Sequence, residues 1–349
     1  MNRRWICSDV WMDILPSFDH AQLGLKMALL SDRFDVLVDA HFDGKSELTI
    51  WRPIEISKDE GPEPTTLSVW IDGKWVDFSM PDRPLPNKIR FNFLWINYID
   101  HSVIEFIRSN KQIWDRMGTE LELSIDGDET EDVQRVWDIL ARQIWPIFAT
   151  NIRHLRFASG NDLDNLRHGI SLTILTDLDQ LYSIDSDDLF PDVIADDGPN
   201  ATAGQALSKW LHTPSKNGQP KRLLCEDYLG PPTLEWINNF KETFRRATTS
   251  VSYIIQLIFH TMTKMPIEQF EVVNEGTNEK LTFWEESEYN WLLTRCPIIV
   301  VETATIQRKK DQNWDKNLNT VQFDLWGGNN TIEPLSPPAE EEKEEKADE

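Results

Sequence analysis

Apolar side chains in the N-terminal part of the chain recur at the three- and four-residue spacing of short amphipathic helices. Val10 and Ile14 predict a first helix over residues 9–15. Asp19 followed three residues later by Gln22 has the form of a capping box, so a second helix is expected to begin there. The remaining apolar positions predict the faces of the second helix and of a third: Leu23, Leu25, Met27, Ala28, Leu29 and Leu30, then Phe34, Leu37 and Val38.

A helical unit of about 40 residues normally buries too little surface to be stable alone. These helices must therefore dock on the rest of the chain, on a partner, or on both. Their apolar faces are full for helices so short, which is the first indication of an interface.

Beyond residue 46 the pattern changes to strand-sized apolar runs that alternate with amphipathic stretches. The strands are predicted over residues 89–96, 119–125, 154–158, 221–226 and 250–259. The helices are predicted over residues 103–114, 130–145, 203–212 and 233–247, with Pro146 ending the second of them. The spacing is irregular, so we expect a leucine-rich-repeat-like strand–helix array without a fixed register.

Towards the end of the chain the pattern predicts strands only. Residues 270–274 and 280–284 flank a good hairpin turn at 275–278, and a strand over 291–296 follows. Beyond residue 331 prolines give way to glutamate and lysine, which is typical of disorder. The predicted class is α/β (α+β), with a helical module over 1–45, an α/β recognition domain over 46–330 and a disordered acidic tail over 331–349.

The charge balance limits the possible partners. The chain has 35 basic and 59 acidic residues, a net charge of −24, and phosphate backbones repel such a surface. No apolar run reaches the roughly 18 residues that a membrane-spanning helix needs. We therefore expect neither nucleic acid nor membrane as a partner.

The three cysteines, Cys7, Cys225 and Cys296, lie far apart and form no CxxC pair. This spacing is typical of buried free thiols in a reducing compartment, and disfavours a disulfide framework or a structural zinc site. The opening residues lack the apolar core of a secretory signal. An intracellular location, cytoplasmic or nuclear, is expected.

Motifs that carry chemistry are missing from the sequence. It has no phosphate-binding loop, dinucleotide glycine fingerprint, nucleophile elbow or HExxH helix, and His154 and His168 fall on different predicted elements. An acid-rich stretch fails as a calcium loop, because Phe190 stands where the turn glycine belongs, so a solvated acidic loop is predicted. The stretch contains Asp177, Asp179, Asp185, Asp187, Asp188 and Asp192. We expect no enzyme activity, no metal and no cofactor.

The N-terminal residues resemble an F-box. The similarity runs from Trp5 to Phe42 and rests on an apolar pair, a short apolar helix, the aromatic Phe18, a second apolar helix and a final Arg33-Phe34. The run from Ala21 to Asp35 is similar to the expanded F-box-like families of nematodes. Further similar segments extend the resemblance to about residue 300, including residues 46–52, 184–191, 209–214, 276–282 and 291–298.

The resemblance implies that the apolar positions bind a Skp-type adaptor and so join a cullin-RING ubiquitin ligase. The candidate adaptor contacts are Ile6, Val10, Ile14, Leu15, Phe18, Leu23 and Phe34. Such contacts require complementary apolar burial over about 800 Å² per partner. Each of these side chains could instead face inward as ordinary core.

Two functions follow from the resemblance. In the first, the chain is a non-catalytic substrate receptor of an SCF-type ligase, and the α/β domain binds an unknown protein target. In the second, it is an interaction scaffold with a degenerate F-box that acts outside ubiquitination. Ile6-Cys7, which stands where the family usually has Leu-Pro, favours the second slightly.

Overall fold

The computed structural model describes residues 6–42, 48–50, 54–58, 64–71, 73–86, 89–91, 93–115, 118–126, 131–216, 218–227, 233–259, 268–287, 289–298 and 319–326. Within these ranges the chain is a mixed α/β protein, which confirms the predicted class. The predicted boundary near residue 45 and the predicted acidic tail lie outside the described residues.

Three helical segments open the described chain. α1 spans Ser8–Ile14 and runs into a 3₁₀ turn, and α3 spans Asp32–Phe42. Between them, α2 (His20–Gln22) continues as a π-helical stretch, Leu23–Met27, and ends in a 3₁₀ turn. The predicted capping box is confirmed, since the Asp19 carboxylate accepts from the Ala21 amide at 2.8 Å and the Gln22 side chain accepts from the Asp19 amide at 3.3 Å.

Strands and further helices fill the rest of the described chain. The strands are β1 (Leu48–Ile50), β2 (Ile54–Ser57), β3 (Thr66–Ile71), β4 (Lys74–Ser79), β5 (Ile89–Phe91), β6 (Phe93–Ile96), β7 (Thr119–Asp126), β8 (Ile152–Phe157), β9 (Ser183–Asp187), β10 (Lys221–Asp227), β11 (Tyr253–Phe259), β12 (Phe270–Asn274), β13 (Glu279–Ser287), β14 (Asn290–Pro297) and β15 (Asn319–Trp326). The helices are α4 (His101–Ser109), α5 (Lys111–Asp115), α6 (Glu131–Ile139), α7 (Trp145–Phe148), α8 (Gly160–Gly169), α9 (Ile174–Asp177), α10 (Ala203–His212) and α11 (Leu234–Arg246).

One large sheet holds thirteen of these strands. Their spatial order is β12-β13-β14-β11-β10-β9-β8-β7-β15-β6-β2-β3-β4, and β1 pairs with β5 separately. The central strands from β11 to β2 run parallel, whereas antiparallel strands complete the sheet at both ends. The antiparallel strands predicted over residues 270–274, 280–284 and 291–296 are therefore present as β12, β13 and β14.

The helices of the parallel region cover one face of the sheet. From β7 to β11 each strand pairs with the next strand along the chain, so the sheet is extended in one direction. Because crossovers between parallel strands are right-handed, the connecting helices all lie on the same side of the sheet. Burial agrees with this arrangement. Leu121 and Leu123 on β7 are buried, while Glu122 between them is part-exposed on the opposite face, and Ile184 on β9 and Leu223 on β10 are buried in the same way.

The last strand, β15, corrects the sequence analysis, which predicted no strand beyond residue 296. β15 lies parallel between β6 and β7 in the interior of the sheet, with Val321 and Phe323 fully buried. The alternation of apolar and polar residues over 321–325 is a strand signal that could have identified it. Its place in the sheet is set by a pairing with strands some 200 residues away, which the local pattern does not encode.

Pro146 does not end the helix that precedes it, contrary to the prediction. The chain widens into a π-helical stretch at Leu140–Ile144 and restarts as α7, with Pro146 in its first turn. Proline lacks an amide hydrogen and clashes with the carbonyl four residues before it, and a π-helical turn is a common way to relieve such a conflict. In the first turn of a helix the missing amide has no cost.

A buried ion pair fixes the C-terminal antiparallel strands to the parallel region. Glu279 on β13 and Arg295 on β14 are both almost fully buried, and Arg295 Nη2 donates to Glu279 Oε2 at 2.6 Å. The same carboxylate accepts from the Val251 amide and from Ser250 Oγ, just before β11. Burial by itself raises the pKa of Glu279, but the hydrogen bond and charge of Arg295, together with hydrogen bonds from Thr277 and Ser250, outweigh it and lower the pKa.

Removing one partner of this pair should be costly. We expect R295M to destabilise the fold by about 3–5 kcal/mol, because it leaves the Glu279 carboxylate buried without its cation. R245M, which breaks an exposed pair with Glu242, should cost no more than about 1 kcal/mol. Urea unfolding at pH 7 measures both. Equal small losses for the two variants would contradict the role of the pair.

The ion pair should also make stability depend on pH. Because the pKa of Glu279 is lowered in the folded state, the stability that this carboxylate contributes is present above pH 4.5 and is lost as the pH falls through the folded value.

Candidate functional site

The N-terminal helices present exposed apolar side chains. Ile6 is 46% exposed and Val10 on α1 is 44% exposed, and Ile14, one turn further along α1, is half-buried. Leu30 and Val36 are 60% and 67% exposed. Four of the eleven large apolar side chains that are exposed in the described part of the chain therefore fall within residues 6–42, which makes this region the candidate interface.

Contacts between α1 and α3 hold this surface in place. The Trp11 ring meets the Phe34 ring edge-on, with centroids 4.8 Å apart. Arg33 Nη2 donates to the backbone carbonyl of Ile6 at 2.5 Å, which holds the chain two residues before α1. The exposed side chains of Ile6 and Val10 are thus carried on a packed support rather than on a free segment.

The predicted adaptor contacts do not all lie on one surface. Ile6 and Val10 are exposed, and Ile14, Phe18 and Phe34 are half-buried. Leu15 and Leu23 are 0% and 1% exposed and belong to the hydrophobic core. For these two residues the interpretation as ordinary core holds, because no part of their side chains is accessible to a partner.

Leu30 and Val36 are surface residues that the sequence analysis did not select. The periodicity grouped Leu30 with Leu23 on one apolar stripe, but the π-helical and 3₁₀ turns change the number of residues per turn, so Leu23 is buried and Leu30 is exposed. Val36 could have been identified as a surface residue, since the buried stripe of α3 passes through Leu37 and Val38 and Val36 lies on another side of the helix.

The face of the sheet opposite the connecting helices carries a network of charged side chains. Arg156 on β8 lies between Glu122 and Asp185 in register, with its Nε 3.7 Å from the Glu122 carboxylate. His154 Nε2 lies 3.1 Å from Asp185 Oδ1. Burial raises the pKa of the neighbouring Asp187, and the positive charge of Arg156 opposes that shift. None of its residues lines either of the two cavities described below.

This network corrects the prediction of a solvated acidic loop. Asp185 and Asp187 belong to β9, and the loop begins only at Asp188, whose backbone is left-handed with φ of 57°. Parallel pairing with β8 brings the acids beside His154 and Arg156. Local composition could not reveal those partners.

Lys221 is the most perturbed basic side chain of the described chain. It is 4% exposed, lies 5.0 Å from the centre of the Trp210 ring and donates to the Thr213 carbonyl at 2.6 Å and to the Trp210 carbonyl. Burial lowers its pKa to about 8. A lysine of this kind can act as a nucleophile, but the adjoining cavity of about 40 Å³ has no room for a substrate. We assign Lys221 a structural role.

In the ranges that the structure describes, no group of three or more metal-ligating side chains converges on one point. The helices of the same ranges include none with the length and apolar character needed to cross a bilayer.

Comparison with known proteins does not assign this chain to a family. The chain matches no protein-family model, and no curated protein matches it. Among solved structures, the spore cortex-lytic enzyme SleL of Bacillus megaterium QM B1551 is similar at 11% identity, over 67% of this chain and 63% of that one, with a TM-score of 0.19. This chain thus spans less than two thirds of that protein's length, and a superposition so poor carries no argument.

The lowered pKa of Lys221 predicts how stability changes with pH. Between pH 8 and the ordinary lysine value of 10.5, the unfolded chain holds a proton that the folded chain has released, so stability rises with pH. The free energy of unfolding of the wild type minus that of K221M should increase between pH 8 and 10, by at most about 1.4 kcal/mol per pH unit. Urea unfolding at pH 7.5, 8.5 and 9.5 measures this difference, and a constant value would contradict the assignment.

Proposed function

We propose that this chain is a non-catalytic substrate receptor of a cullin-RING (SCF-type) ubiquitin ligase. Its F-box-like N-terminal module binds a Skp-type adaptor, and its strand–helix domain binds a protein target. The observation that carries the proposal is the exposed pair Ile6 and Val10, continued by half-buried Ile14 and held by the contacts of Trp11 and Arg33. Exposed apolar residues on a packed support are what a specific interface requires.

The second half of the proposal is supported by the strand–helix domain. From β7 to β11 parallel strands alternate with helices at irregular intervals, which supports the expectation of a leucine-rich-repeat-like array with the connecting helices on one sheet face. Arrays of this kind offer long surfaces for protein recognition. The proposed location is the cytoplasm or nucleus, where such a receptor would act.

A scaffold outside ubiquitination is the second candidate function. Two observations favour it: Cys7 is exposed at the position where F-boxes usually have proline, and the core burial of Leu15 and Leu23 reduces the number of available adaptor contacts. The two candidates differ in whether the purified wild-type chain binds the adaptor at all.

The test uses the exposed positions, because aspartate at the buried Leu15 would disrupt the core. We expect the double variant I6D/V10D to bind a purified Skp-type adaptor at least a hundredfold more weakly than the wild type, about tenfold for each lost apolar contact. I194D replaces a 66%-exposed isoleucine of the strand–helix domain and should bind as the wild type does. Isothermal titration calorimetry measures the three affinities.

The outcomes separate the candidates. No measurable binding by the folded wild type would reject the ligase receptor and favour the scaffold. Equal binding by wild type and I6D/V10D would mean that the adaptor surface is not the one proposed here.

A further inference from the structure

A groove of about 520 Å³ lies between the N-terminal helices and one end of the large sheet. One wall is the second helical segment, through Leu25, Leu29 and Leu30. The other wall is residues 76–82, which cover the end of β4 and the residues after it. β4 is the outermost strand at this end of the sheet.

The β4 wall belongs to the edge strand of the described sheet and includes residues from both of its faces. Val76 and Phe78 pair with Val69 and Leu67 and pack towards the core, whereas Asp77 points to the opposite face, where it accepts from Ser68. Residues from both faces of β4 line the groove. Because side chains alternate between the two faces along a strand, the groove runs along the edge of β4. Among the described strands β4 pairs only with β3, so its outer edge carries no described strand, and residues 76–79 of β4 line this groove.

A strand added to this edge would fit both walls. It would lie about 4.8 Å from β4 and hydrogen-bond to its main chain. Every second side chain would then point towards the face that Val76 and Phe78 occupy, against Leu29 and Leu30. Strand addition draws affinity from the main chain and specificity from pockets at alternate residues.

The charge of the chain decides which partner adds the strand. A second copy would bring another net charge of −24 to the edge, and like charges oppose that association. The groove itself is lined by two acids, Asp77 and Asp82, and by one cation, Lys26. A basic segment is therefore complementary both to the groove and to the whole chain.

We propose that the β4 groove binds an extended segment of a partner protein, which adds to the sheet as a further strand with apolar residues at every second position and a net positive charge. This inference goes beyond the proposed ligase function and does not depend on it, because it rests on β4 and the second helical segment rather than on Ile6 and Val10.

The experiment selects binders from a displayed library of random twelve-residue peptides on the full wild-type chain, then measures synthetic peptides by fluorescence polarisation. We expect enriched sequences with apolar residues at i, i+2 and i+4 and a net positive charge. L30R, which fills the groove mouth and repels the peptide, should weaken binding at least tenfold. V36R makes the same change at an exposed valine outside the groove and should stay within twofold of the wild type.

N-methylation of the peptide tests the strand geometry directly. Only one set of alternate amides faces β4, so methylating that set should weaken binding at least tenfold, while methylating the other set should change it less than twofold. The proposal is overturned if no peptide is enriched, if both methylated sets or both arginine variants bind alike, or if light scattering shows a wild-type dimer that L30R dissociates.

Discussion

The apolar face of the large sheet has to be covered across its whole width, and the rest of the chain is arranged around that requirement. Over the parallel strands the connecting helices do this, with stripes such as Leu207 and Leu211 on α10. β2, β3 and β4 are consecutive antiparallel strands, with no helix between them in the described residues. There the N-terminal helices contribute Leu25 and Val38 to the same continuous core, so this module covers the sheet as well as offering a surface.

Features set by neighbouring residues could be predicted from the sequence. α10 was predicted at its observed bounds, and Thr202 with Gln205 supplies its capping box. The hairpin turn between β12 and β13 was also predicted, with Asn278 in the left-handed conformation that asparagine tolerates. β15 and the π-helical stretch before Pro146 were missed, because one depends on partners far away in the chain and the other on a local conflict that can be resolved in more than one way.

The candidate site shows the same division. Periodicity identified the apolar positions of the first helix, but could not tell that Leu15 would be sealed while its neighbour Ile14 stayed half-exposed. That difference in burial depends on how the helix packs against the rest of the chain, which the local sequence pattern does not specify. In the acidic stretch, composition gave the charges of Asp185 and Asp187, while the parallel register with β8 supplied His154 and Arg156 as their partners.

A receptor that connects two proteins needs two surfaces that are held apart on one body. Ile6 and Val10 lie at the first helix, whereas the groove is formed by the second helical segment with β4. Leu15, just after the first helix, and Leu23, in the second helical segment, are too deeply buried to contact either partner and anchor both segments in the same core. The burial that removes these leucines from the proposed adaptor contacts thus also ties the first helix and the second helical segment to one core, so both proposed contacts rest on the same module.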